Sequence, residues 1–131
     1  MELENVNSII KLGMNYERAR VEAAAHNLAM ANVALAPGAQ ASLMTATVRP
    51  DFAGQIGLPG VDMQTVNSSE TRVEHDPSNP LADAQGMVHY PKLDPAMEMA
   101  TLTSATRAYE ADVRAYNSLH AMMQKAFEIG K

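Results

Sequence analysis

The placement of proline limits this chain more than any other feature. None occurs before Pro37 and none after Pro95. Proline inside a helix removes a hydrogen bond and collides with the preceding turn, at a cost of about 3 kcal/mol. Long helices are therefore confined to the two ends. Chain breakers collect between them, so the 131 residues, the size of one ordinary domain, read as three parts.

The first part, 3–33, reads as one long helix. Apolar or small residues recur at Ile9, Leu12, Tyr16, Ala19, Ala23, Met30 and Val33, three and four apart, with His26 the one interruption. A second stripe, Ile10, Met14, Val21, Ala24, Leu28 and Ala31, runs beside it, so the apolar face is broad. Arg18 and Glu22 are spaced to pair on the surface. Asn32 and then Ala36-Pro37-Gly38 supply the stop.

The last part opens on Asp94-Pro95, an N-cap followed by proline at the first helical position. A helix is predicted from there to Ile129, with Gly130 as its stop. Its stripe is Met99, Leu102, Thr106, Tyr109, Val113, Tyr116, Met123 and Phe127, with His120 inside it. Ala105, Asp112, Leu119 and Ala126 widen one flank, while Ala108, Ala111 and Ala115 form a separate small-residue strip. Two such strips imply more than one neighbour.

The middle, 37–93, holds short alternating stretches, Thr45 to Val48 and Val61 to Val66, that read as strands or hairpin arms. Asp76-Pro77-Ser78-Asn79-Pro80 is a turn by its chemistry. Few large apolar residues are available there, so a sheet in this part has little to stabilise it alone. The predicted class is mainly α with a small β insert. The helices of 1–36 and 94–131 form a coiled-coil hairpin domain, and 37–93 is a β-rich and loop insert.

Composition fits helices that pack against several partners. The chain is 47% hydrophobic, yet it has ten Met, only two Phe and four Tyr, and no Trp. Alanine buries little area and depends on close helix approach, and methionine adapts to irregular interfaces. The net charge of −5, with its basic residues scattered, speaks against nucleic acid as a partner. No apolar run reaches the 18 to 20 residues of a membrane span. The N-terminus Met1-Glu2-Leu3-Glu4-Asn5 lacks the pattern of a cleaved secretory signal.

Nothing in the sequence assembles a reaction centre. There is no Cys, and His26, His75, His89 and His120 lack the spacing of a helical metal pair, so they read as ordinary surface or interface residues. Glu74, Asp76 and Asp83 lie amid turn chemistry, and Ser68 and Ser69 lack a nucleophile context. No phosphate-binding or dinucleotide fingerprint is present, so no cofactor, metal or small-molecule substrate is expected.

Asn27 is more informative. Asparagine inside a helix costs stability and needs either solvent or a partner. Its segment, Ala24-Ala25-His26-Asn27-Leu28-Ala29-Met30-Ala31-Asn32, resembles the N-terminal signature of bacterial flagellar axial proteins, where Asn-Leu-Ala-Asn-Ala-Asn-Thr is usual; Met30 and Val33 depart from it. Glu98-Met99 and Arg107-Ala108-Tyr109-Glu110-Ala111 resemble the C-terminal signature of that family. The stretch from Asp76-Pro77-Ser78-Asn79-Pro80 through Gly86-Met87-Val88, and the ending from Met122 to Lys131, are similar to one branch, the C-type proximal rod proteins. Ala34 to Phe52 and Lys92-Leu93-Asp94-Pro95 match least.

The resemblance implies a structural, non-enzymatic subunit of the flagellar basal-body proximal rod. Such a protein is made in the cytoplasm, exported through the flagellar type III apparatus without a cleaved signal, and assembled in the periplasm with itself and other rod subunits. Its terminal helices form the inner coiled-coil layer of a hollow shaft that transmits torque. Asn27, Leu28, Ala31 and Asn32 on the first helix, and Met99, Leu102, Tyr109, Val113, Tyr116 and Met123 on the second, are then the candidate subunit-interface residues. A divergent axial protein of a second flagellar system, or one with an export-control role, is the alternative.

Overall fold

The computed structural model describes residues 2–49 and 60–130; the part of the expected insert at 50–59 lies outside the described residues. The chain runs α1 (Glu2–Met30), β1 (Ala41–Arg49), β2 (Gly60–Ser68), β3 (Thr71–His75), β4 (Met87–Pro91) and α2 (Pro95–Ile129). It is mainly helical with a small β part. Asp94 caps α2, its Oδ1 accepting from the backbone N–H of Ala96 at 2.9 Å and of Met97 at 3.3 Å. Gly130 ends that helix with φ −84°, so it does not use the left-handed conformation often found at such stops.

The helices lie antiparallel. Arg20 Nη2 donates to Ser104 Oγ at 3.5 Å, Gly13 faces Asp112, and Lys11 Nζ sits 6.0 Å from the Tyr116 ring centre, so positions descend on α1 as they rise on α2. Small residues dominate the buried core, with Ala19, Ala23 and Ala24 from α1, Ala31 just after it, and Ala105 with Leu119 from α2. On α2 the buried positions therefore fall on the flank that holds Ala105 and Leu119 rather than on the stripe of large residues or on the strip of Ala108, Ala111 and Ala115. Met99 is 60% exposed and Phe127 is 73% exposed. Close approach is the physical reason, because alanine and glycine bring backbones together where Met, Tyr or Phe would hold them apart. On α1, Ile9 is likewise left 67% exposed. Arg18 and Glu22 pair at 3.3 Å, as their spacing predicts.

The β part consists of two separate two-stranded antiparallel sheets. β1 and β2 pair along their whole length, from Ala41 opposite Ser68 to Arg49 opposite Gly60. Both alternating stretches read from the sequence thus become hairpin arms. β3 and β4 pair from Thr71 opposite Pro91 to His75 opposite Met87. Pro91 is tolerated in a strand because its nitrogen points away from β3, where no ladder bond is needed.

Candidate assembly surface

Three polar side chains fix the β part onto α1 and the residues that follow it. Asn27, only 6% exposed, turns both its amide oxygen and its amide nitrogen to one residue of β1. Its Oδ1 accepts from Met44 N–H at 2.8 Å and its Nδ2 donates to Met44 C=O at 3.0 Å. One residue earlier, His26 Nε2 lies 3.0 Å from Ser42 O. A helix side chain here does what a neighbouring strand would do. This supplies the partner that an asparagine inside a helix requires.

Arg72 of β3 joins the second hairpin to the end of α1. Its Nη2 donates to Asn32 Oδ1 at 3.0 Å and to the Ala31 carbonyl at 3.4 Å, placing a cation where the helix presents free carbonyls. The guanidinium also lies 4.6 Å from the Tyr90 ring centre and pairs with Glu74.

Asp83 holds the connection between β3 and β4. Its Oδ1 accepts from Gln85 N–H and Met87 N–H, both at 2.9 Å, and its Oδ2 lies 3.1 Å from His89 Nε2. The Met87 N–H bond, followed by the hydrogen bond from His89, keeps the Asp83 carboxyl below its ordinary pKa. The other ring nitrogen of His89 is 3.3 Å from Thr71 Oγ1. Asp76 and Asn79 accept from Ser78 N–H and Leu81 N–H in the same loop, and Gly86 turns it at φ +75°. The connection is therefore a self-bonded, preshaped loop.

Among the described residues no group of three or more His, Asp or Glu is arranged to hold a metal ion. No described helix is long and apolar enough to cross a membrane. What the molecule presents instead is apolar side chain on helix faces that α1 and α2 do not cover for each other.

Residues 84–129 match the family described as flagellar basal body rod FlgEFG protein, C-terminal. The chain is 46% identical over 67 residues to the flagellar basal-body rod protein FlgC of Bacillus subtilis, a match spanning 51% of this chain and 45% of that protein. It is 32% identical to FlgC of Salmonella typhimurium across the full length of both chains. The chain belongs to the FlgC family. The FlgC protein of Aquifex aeolicus is 29% identical, over all of this chain and 99% of that one.

Against that family background, the ten candidate interface residues divide by position. Asn27 and Ala31 are buried within the chain. Leu28, Leu102, Val113, Tyr116 and Met123 are half-buried along the helix pair. Asn32, Met99 and Tyr109 are exposed, and Asn32 accepts from Arg72. The Tyr116 ring packs against His120 with ring centres 4.5 Å apart and the planes tilted by 54°. Arg72 and Asp83 were not legible as anchors from the sequence. The one signal for Asp83 was its place three residues before Gly86, a turn spacing.

Proposed function

We propose that this FlgC-family chain is a structural subunit of the proximal rod of the flagellar basal body, acting by packing rather than by catalysis. The observation that carries the reading is the full-length identity of 32% to a flagellar basal-body rod protein. The exposed apolar faces of two long helices support it, since self-assembly is the direct way to bury such surface.

In this reading α1 and α2 act as a coiled-coil hairpin, with 1–36 and 94–131 as one domain and 37–93 as a β-rich insert. Met99, Leu102, Tyr109, Val113, Tyr116 and Met123, with Leu28 and Asn32, meet neighbouring subunits. Asn27 and Ala31 shape that surface from beneath. The chain leaves the cytoplasm through the flagellar export apparatus, assembles with itself and other rod proteins in the periplasm, and forms part of a hollow shaft that passes torque outward.

Deletion and complementation test the reading. Cells lacking the chain are expected to be non-motile, and the unsubstituted gene to restore swimming and return the chain to purified basal bodies. Full motility in the deletion strain would contradict it.

A further inference from the structure

Among the described residues, each hairpin has one edge closed by the chain's own groups and one edge whose backbone they do not bond. On β1 the closing groups are Asn27, which takes both backbone groups of Met44, and His26 at Ser42 O. On β4, Leu35 N–H donates to His89 O at 2.8 Å. Asp83 binds both backbone groups of Met87, with its N–H on Met87 O at 2.9 Å and its Oδ1 on Met87 N–H.

These bonds also fix the direction of the opposite edges. In an antiparallel ladder, a residue whose backbone groups turn away from its partner faces another that does the same. Met44 is opposite Thr65 and Ser42 opposite Asn67, so Val61, Met63, Thr65 and Asn67 turn N–H and C=O to the outer side of β2. Likewise His89 is opposite Val73 and Met87 opposite His75, so Thr71, Val73 and His75 turn theirs to the outer side of β3. Among the described residues no protein group bonds to these outward backbone groups. Neither strand carries the proline or lysine that commonly guards an edge. A hairpin of two strands is marginal in water and gains from a third.

We propose that the outer edge of β2 pairs with the outer edge of β3 in a second copy of this chain, head to tail. The inference rests on the rod reading above. Two different open edges make a heterologous contact that can propagate, whereas a single self-complementary edge closes into a dimer. Antiparallel pairing with Thr65 opposite Val73 puts Met63 opposite His75 and Asn67 opposite Thr71, so outward groups meet outward groups. Between them Val66 faces Arg72 and Gln64 faces Glu74, so no like charges meet within the paired stretch; one residue beyond it Asp62, ion-paired to Arg49, comes opposite Asp76.

Thr65→Pro and Val73→Pro each remove one outward N–H and no bond within the hairpin, a position where an edge strand tolerates proline. Each variant should keep the parent's circular dichroism spectrum and normal expression, while swimming falls to the level of the deletion strain. The chain has no Cys, so co-expressed Thr65→Cys and Val73→Cys chains give a direct readout. Oxidised basal bodies should yield a disulfide-linked pair containing one chain of each kind. Full motility of either proline variant, no cross-link in intact basal bodies, or a Thr65→Cys homodimer in its place would overturn the proposal. Absence of the unsubstituted chain from basal bodies would instead remove the rod reading on which it rests.

Discussion

Gly13 lies opposite Asp112 so closely that a Cβ on residue 13 would meet Asp112 Oδ2 at 2.9 Å. The obstruction is the far end of a flexible side chain, while glycine in a helix costs about 1 kcal/mol relative to alanine. Gly13→Ala should therefore be near neutral in urea melts, the propensity gain offset by displacement of the carboxylate. Combined with Asp112→Ala, it should stabilise the chain by about 1 kcal/mol. Gly13→Leu should destabilise it by forcing the helices apart. If the double variant is less stable than the parent, Asp112 holds the helix pair together in some way its contact with Gly13 does not convey.

Replacing Asn27 separates its two bonds. Asn27→Asp keeps the acceptor for Met44 N–H but sets a carboxylate oxygen against Met44 C=O. It should cost about 1–3 kcal/mol, the range for a lost bond that leaves a buried group unsatisfied. Amide exchange at Met44 should accelerate, with smaller change in α2. Unaltered protection at Met44 would mean that β1 is held by other groups.

Acid should act on the loop between β3 and β4 through Asp83. Its carboxyl pKa is lowered in the folded chain by the Met87 N–H bond and then by His89. The stabilisation is thus fully present above the unfolded carboxylate range and is lost as pH falls through the lowered folded value. Exchange at Met87 should stay slow until pH drops below the ordinary aspartate range, and Asp83→Asn should remove that dependence. Loss of Met87 protection near neutral pH in the parent would contradict the assignment.

Tyr109 is 37% exposed on the stripe of α2 between half-buried Leu102 and Tyr116, at the border of the helix contact. Tyr109→Asp should lower the melting temperature of the isolated chain only modestly, yet abolish swimming at normal expression. The larger burial cost arises when another subunit covers the part of Tyr109 that is exposed here. Normal swimming would take Tyr109 out of the proposed interface.

The sequence told most where the physics is local. The Asp94-Pro95 start of α2 and the alternation of β1 and β2 depend on neighbouring residues, and both were readable. β3 was not, because Thr71-Arg72-Val73-Glu74-His75 shows little apolar alternation. Its strand depends on pairing with β4 across the Asp83 loop. The need of Asn27 for a partner was legible, but the identity of Met44 required knowing how β1 returns to α1. The buried line of α2 was obscured for a different reason. Its centre is marked by Ala105 rather than by the large residues that dominate a hydrophobic pattern.

Electron cryomicroscopy of purified basal bodies would show where this chain sits and what its helices touch. The rod density should accept the antiparallel α1–α2 pair of this chain, with Met99 and Tyr109 against adjacent subunits and Asn27 still bound to Met44. A complete rod resolved to side-chain detail, with no subunit fitting this sequence, would contradict that placement.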